Sequence, residues 1–461
     1  MKRSSIKWIV LLSIIALAGI LLTVSISGLF GEGSGLLENG IVHSEAVIIL
    51  IILMVAVPVL LIVLIIVLAF GKNNPQVIKA TVDGAEVSIN GTSEKKDAEE
   101  ENGERFCMLS EIEKNKSKYE RMDYEKNVTL SELCDSFRNY SANKLKLYYD
   151  ISDIRRFIAG MAVSHIIILQ GMSGTGKTSL AHAFGSFIDN TSTIIPVQPM
   201  WKERTDLIGY YNEFTKKFNE TLLLEKMYEA NYSEDIYITV LDELNIARVE
   251  YYFAEFLSLL ELPNPEERYL DVVSDKWPTD PAQLKDGRIK LSENMWFIGT
   301  ANNDDSTFAI SDKVYDRAMI LNLDNKCERF AAPKTAKLRI SFEKFTSLVS
   351  EAIEEYDISA RNKKRLEALD KYLIEHFHIT FGNRIMKQIN QYIPVYIACG
   401  GEELEALDDI LSKKVMRKLE TQNPIYLRNA AEGLLQYLDE LFGTNGMPLC
   451  KAFIQRLQRN A

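Results

Sequence analysis

The sequence predicts an α/β fold: a parallel sheet with helices on both faces, followed by a helical module and preceded by two long apolar stretches. Three observations predict it. Short apolar runs suited to buried strands (HIIIL, TIIPV, IYITVL, MWFIGT and AMILNL) alternate with amphipathic helical patterns (GKTSLAHAFGSFI, ETLLLEKMYEAN and ARVEYYFAEFLSLLEL). Such alternation builds a parallel sheet, because a helix must carry the chain back across one face before the next strand starts. From about Ser341 the strand patterns stop and helical ones continue to the end, and residues 8–30 and 46–70 contain no charged side chain.

Each of those two stretches is long enough as a helix, at about 1.5 Å per residue, to cross a hydrocarbon core of about 30 Å. Neither has the polar stripe that a buried core helix would carry. Pro58 is tolerable in a membrane helix. A cleaved signal peptide is the rival reading of the first stretch, but its apolar run exceeds the usual roughly 7–15 residues. Lys2, Arg3 and Lys7 precede the first stretch and Lys72 and Lys79 follow the second, whereas the connecting loop holds Glu32, Glu38 and Glu45 and no basic residue. Positive flanks favour the cytoplasmic side, so both ends face inward. The expectation is a transmembrane hairpin over residues 1–70 serving as an inner-membrane anchor, with all that follows in the cytoplasm.

Residues 71–127, with the charged stretch SEKKDAEEENGER, read as a polar flexible linker. VTLSELCDSFRNY and ISDIRRFIAGMAV then read as helices leading into the first strand, which sets the core at 128–335 and the helical module at 336–461. Composition excludes several classes. With 47% hydrophobic and 25% charged residues, wholesale disorder, collagen and coiled coil are out. A net charge of −11 argues against a chain that mainly coats nucleic acid. The five cysteines form no CxxC pair, so neither a disulfide framework nor a zinc site is expected.

The run from Gly171 to Thr178, GMSGTGKT, matches GxxxxGK[ST] in full and sits between a strand pattern and a helix pattern. Glycines at 171, 174 and 176 let successive amides turn toward phosphate oxygens, and the following helix adds its positive end. Lys177 supplies a charge to the β- and γ-phosphates, and the Thr178 hydroxyl can ligate Mg²⁺. Ser173, Thr175 and Ser179 complete the candidate nucleotide cradle. The strand IYITVL ends in Asp242-Glu243. The first carboxylate is placed to hold Mg²⁺ with Thr178, and the second to orient or deprotonate an attacking water.

These motifs resemble those of the AAA+ ATPases, in the branch with McrB-like, MoxR-like and midasin-like (dynein-related) modules. GMSGTGKTS resembles that family's Walker A and VLDELNIAR its Walker B. MWFIGTANNDD is similar to its sensor 1, which implies that Asn302 polarises the lytic water. AISDKVYDRAMIL resembles the arginine-finger region, which implies a role for Arg317 at a subunit boundary. ITFGNRIMKQ resembles the start of a sensor 2 helix, which implies that Arg384 reaches the γ-phosphate. WKERTDLIGYYNE is similar to the loop after the second core strand of midasin-like modules. The run of several arginines near the McrB finger is thinned here to Arg317, and no DNA-reading domain adjoins the core. The resemblance implies an AAA+ αβα core with a helical lid and an NTP hydrolase using ATP, with GTP open, and Mg²⁺. It also implies a homo-oligomeric ring, most often a hexamer, that remodels a protein partner. A motor for DNA defence and a nucleotide-gated switch with little turnover are the alternatives.

His376 and His378 could seat a metal only on a strand, and their region reads helical. Lys202, Arg204, Lys216 and Lys217 surround Tyr210-Tyr211, a segment that a ring could present to a substrate or simply leave solvated. Residues 263–293 read as an inserted hairpin.

Overall fold

The structure is a computed structural model that describes residues 103–460 except 122, 303–306, 325 and 326. Both apolar stretches and most of the charged linker lie outside the described residues. Among the described residues no helix is long and apolar enough to cross a membrane.

Five strands form the central sheet: β1 (Ile166–Gln170), β2 (Thr193–Pro196), β5 (Tyr237–Asp242), β8 (Met295–Ala301) and β9 (Met319–Asn322). Their order is β2-β5-β8-β1-β9, every pair parallel. Two hairpins stand outside the sheet, β3 (Gly209–Asn212) with β4 (Lys217–Glu220), and β6 (Tyr269–Asp271) with β7 (Arg288–Lys290). The second is the hairpin expected within 263–293.

The helices explain why those strands are apolar throughout. In chain order the longer ones are α1 (Met108–Lys114), α2 (Leu130–Tyr140), α3 (Ile151–Val163), α4 (Lys177–Phe187) and α5 (Leu222–Ala230). The C-terminal module adds α6 (Phe342–Glu355), α7 (Ala360–Phe377), α8 (Gly382–Ala398), α9 (Glu403–Lys414), α10 (Pro424–Phe442) and α11 (Pro448–Asn460). Ile167 and Leu169 of β1, with Trp296 and Ile298 of β8, face a core shared with α2, α3, α4 and the C-terminal helices. Ile166 and Ile168, with Met295 and Phe297, face a second core that includes α1 and α5. Successive side chains of a strand point to opposite faces, so a strand covered on both sides reads as a continuous apolar run.

The linker expectation needs correction. Residues from 103 onward are folded onto the core, with Phe106, Leu109 and Ile112 buried. Arg105 is 1% exposed and pairs with Asp280 at 2.7 Å and Asp275 at 3.0 Å. Glu220, at the end of β4, accepts from the amides of Cys107 (2.7 Å), Met108 (2.9 Å) and Leu109 (2.8 Å). A carboxylate there satisfies donors that the first turn of α1 leaves open and complements its positive end. A seven-residue helix capped by a residue more than a hundred positions away leaves no local signature. The long helix expected over 247–262 is also divided, into Val249–Tyr252 and Ala254–Leu259, where Phe253 departs from helical geometry.

The C-terminal module is pinned to the core by buried charges. On α9, the Asp409 carboxylate lies 3.1 Å from Nε of Arg156 on α3, accepts from the Tyr392 hydroxyl on α8 at 2.7 Å, and pairs with Lys413. The neighbouring Asp408 caps α11, accepting from the amides of Leu449 (2.7 Å) and Cys450 (2.9 Å). Lys414, at the end of α9, is buried and donates to the carbonyls of Tyr315 (2.8 Å) and Ala318. Burial pushes its ammonium down to about 7, against the pull of Asp316. A lysine with a folded value below its unfolded one binds fewer protons in the native state between the two, so stability rises with pH there. Between pH 7 and 10 the wild type is expected to gain stability at a slope approaching about 1.4 kcal/mol per pH unit relative to Lys414→Met. Urea midpoints of both proteins at each pH check this. Equal slopes would mean that the ammonium is not the titrating group.

Candidate functional site

The loop between β1 and α4 has the backbone its glycines predict. Gly171, Gly174 and Gly176 all have positive φ, at 143°, 78° and 94°. At Gly171 a Cβ would come within 2.4 Å of the Leu323 carbonyl, so glycine is required by space as well as by φ. Lys177 opens α4 and is buried, its Nζ donating to the carbonyls of Gly171 (2.9 Å) and Met172 (2.8 Å) at the start of the same loop. Thr175 Oγ1 donates to Met172 at 3.0 Å. The loop thus closes on itself around the ammonium.

Three strands bring their ends to this loop. The Thr178 hydroxyl, in the first turn of α4, donates to Asp242 Oδ1 at 2.8 Å, and Thr300 on β8 donates to the same oxygen at 2.8 Å. The Glu243 amide donates to Thr300 Oγ1 at 2.9 Å, with Glu243 itself in the left-handed region at φ 54°. A non-glycine residue there is uncommon, and such strain gathers at working sites. Asn302 follows β8 directly, and its carbonyl accepts from Asn245 Nδ2 at 3.0 Å and from Thr307 Oγ1 at 3.2 Å. Asp242, Glu243 and Asn302 therefore all belong to the end of the sheet that carries the phosphate loop. Ser173 is exposed, and Ser179 lies in the first turn of α4.

Thr300 and Tyr149 were not legible as site residues. The Tyr149 hydroxyl donates to the Gly176 carbonyl at 3.1 Å, and burial pushes its phenol up. Tyr148, Tyr149 and Leu147 line a cavity of about 190 Å³ beside Gly174–Gly176, with Leu323 and Cys327 opposite. Thr300 carries a signal in retrospect, since a hydroxyl sits in an otherwise apolar strand. The tyrosines carry none, because they precede α3 in an unpatterned stretch.

Both arginines lie at the other end of the sheet. The Arg317 carbonyl accepts from Ser164 Oγ at 2.8 Å, just ahead of β1. One oxygen of Glu261 pairs with Arg317 and the other with Arg384. The expectation that Arg384 reaches the chain's own γ-phosphate is therefore corrected. α8 packs along α3, which brings its first turn to the amino-terminal end of β1, whereas Gly171 follows the carboxyl-terminal end. The five residues of β1 span about 16 Å at roughly 3.3 Å each. Arg317, Arg384 and Glu261 line a cavity of about 520 Å³ there, with His165, Arg268 and Lys387.

The residues around Gly171–Thr178 fit a magnesium-bound triphosphate: a loop of turned amides, an ammonium, and a hydroxyl hydrogen-bonded to a carboxylate. Among the described residues no cluster of three or more His, Cys, Asp or Glu could hold a metal, so such an ion would depend on phosphate oxygens for most of its ligands.

Residues 166–318 match the family described as AAA domain (dynein-related subfamily). Residues 334–461 match the family described as Domain of unknown function (DUF8727). No curated protein matches the chain. Among solved structures, the chain is similar to a presumed ATPase from Cytophaga hutchinsonii, with 16% identity, 75% of this chain and 98% of that one covered, and a TM-score of 0.43. It is also similar to a full-length MCM homolog from Methanopyrus kandleri, with 10% identity, 63% and 56% covered, and a TM-score of 0.32. The five parallel strands, the GMSGTGKT loop and the family match over 166–318 agree: the core of this chain fits an α/β P-loop fold of the AAA+ kind.

Proposed function

We propose that this chain is a membrane-anchored AAA+ nucleoside-triphosphatase that works as a ring of copies, six by resemblance, on a protein partner at the cytoplasmic face of the inner membrane. ATP is the favoured nucleotide and GTP the alternative, with Mg²⁺ held by Thr178 and Asp242. The single observation that carries hydrolysis is the shared hydrogen-bond chain Thr178–Asp242–Thr300–Glu243, which fixes a carboxylate beside the phosphate loop. The bound nucleotide supplies the transferable phosphoryl group. Lys177 neutralises its charge, Glu243 takes the proton of the attacking water, and Asn302 orients that water. The cavity beside Tyr148 and Tyr149 is suited to the base.

Assembly is supported by where the arginines lie. Arg317 and Arg384 are at the far end of β1 from their own phosphate loop, which suits action on a neighbouring copy in a head-to-tail contact. The hairpin β3–β4 supports a protein partner, since its tip exposes Phe214 almost completely (99%). The anchor rests on residues 8–30 and 46–70 of the sequence.

Mixing two inactive full-length chains in detergent micelles tests the shared site. Lys177→Ala removes nucleotide binding but keeps the arginines, and Arg317→Ala keeps nucleotide binding but lacks the finger. Each alone is expected to release almost no phosphate from ATP, and the mixture to recover a substantial part of wild-type activity. A mixture as silent as its components would sink the shared site.

A further inference from the structure

The cavity at the amino-terminal end of β1 holds more positive charge than it needs. Arg268, Arg317, Arg384 and Lys387 line it, and Glu261 is the carboxylate among them. Arg268 is buried and donates to the Leu262 carbonyl (2.8 Å and 3.3 Å), with no ion pair to a carboxylate among the described residues. Arg317 donates through one terminal nitrogen to the Lys313 carbonyl at 2.7 Å, while its Nε is buried without an acceptor. Burial, aided by the charge of Arg268, pushes His165 down to about 4, so this ring adds no charge at neutral pH. Among the residues lining the cavity four cations thus face one anion, which is divided between Arg317 and Arg384, while Glu293 acts on Arg268 from outside the lining.

We propose that Glu261 is a displaceable counter-ion. It holds Arg317 and Arg384 together in the separate chain, and the terminal phosphates of a neighbouring copy's nucleotide displace it when two copies meet. The proposal rests on the shared-site reading above. Its physical basis is a competition of charges. A carboxylate offers one negative charge to both arginines, whereas the end of a triphosphate offers several oxygens and more charge, in the bidentate geometry that guanidinium favours. The partners are open to exchange, because the side chains of Glu261 and Arg384 are 30% and 47% exposed. Exposed pairs of this kind contribute little to folding stability. Glu261 is therefore a positioning residue with a cost. It pre-aligns the two arginines, yet it must be expelled before they can act.

The same mixture tests this, with hydrolysis followed against total protein concentration. The Lys177→Ala chain, which donates the arginines, also receives Glu261→Gln. Gln keeps the length and the hydrogen-bonding groups but not the charge. The concentration giving half-maximal hydrolysis is expected to fall about threefold or more, the size that one or two partly exposed ion pairs support. Glu261→Asp, which keeps the charge, is expected to stay near the parent curve. An unchanged or higher midpoint for Gln overturns the proposal, as does an Asp curve that coincides with the Gln curve, because shape and not charge would then govern. Thermal melting of the donor chains separates a folding defect from a true shift. Absence of hydrolysis in every mixture refutes the shared site itself, whereas hydrolysis indifferent to Glu261→Gln refutes the counter-ion alone.

Discussion

Glu243→Gln is expected to lower phosphate release from ATP by about 10²–10⁴-fold while leaving nucleotide affinity within a few-fold of wild type. The amide group keeps the shape of the side chain, and the backbone amide can still donate to Thr300, so the left-handed turn at Glu243 should persist. What is lost is the group that accepts a proton from water. Asp242→Asn should behave differently. Its oxygen accepts from both Thr178 and Thr300, so neutralising it weakens the metal site and the alignment of α4 with β8 together. Phosphate release and fluorescent-nucleotide binding, measured on both variants, distinguish the roles. A Glu243→Gln protein that turns over normally would remove Glu243 as the base and favour the reading of a switch.

Asp409→Asn carries the largest expected effect on stability. The carboxylate is 2% exposed and stands between Arg156 and Lys413, with the Tyr392 hydroxyl on its second oxygen. Burial, with the nearby charge of Arg156, pushes Lys413 down against the pull of Asp409. Removing the shared anion leaves the buried Lys413 without its counter-ion beside the partly buried Arg156, at a cost of about 3–5 kcal/mol. Arg156 keeps Asp153 at 3.0 Å, which tempers the loss on the α3 side but not at Lys413. Chemical denaturation should show the C-terminal helices releasing at a lower urea concentration. Replacing Asp409 and Lys413 together by apolar residues should recover much of the loss, because Arg156 keeps Asp153 at 3.0 Å and Glu405 at 3.6 Å. If the single variant unfolds at the wild-type midpoint, these charges do not pin the module to the core.

The legible parts of this protein are those whose physics is local. Five apolar runs became five parallel strands; in β1, β5 and β8 burial on both faces leaves no polar alternation to confuse the reading, whereas the edge strand β2 exposes Ile194. The phosphate loop was legible because a turned backbone demands glycine at fixed spacing. Asp242 and Glu243 were legible because they end a strand near that loop. Long-range partners were not. Arg105 and Glu220 organise α1 from positions that share no sequence neighbourhood with their contacts. Arg384 showed its helix but not its direction, since the end of the sheet that a helix start reaches is decided by packing of α8 on α3. Glu261 looked like an ordinary polar residue closing a helix, and its meaning comes only from the two guanidinium groups that converge on it.

The distance that β1 sets between Gly171 and Arg317 fixes an arithmetic for any proposed assembly. An open head-to-tail row of n copies exposes one cradle at its terminus with no finger to serve it, so only n − 1 of its sites are whole. Closing the row repairs that last position and adds no new chain. Output per subunit should therefore climb in diminishing steps as rows lengthen and reach its ceiling only when the circle shuts.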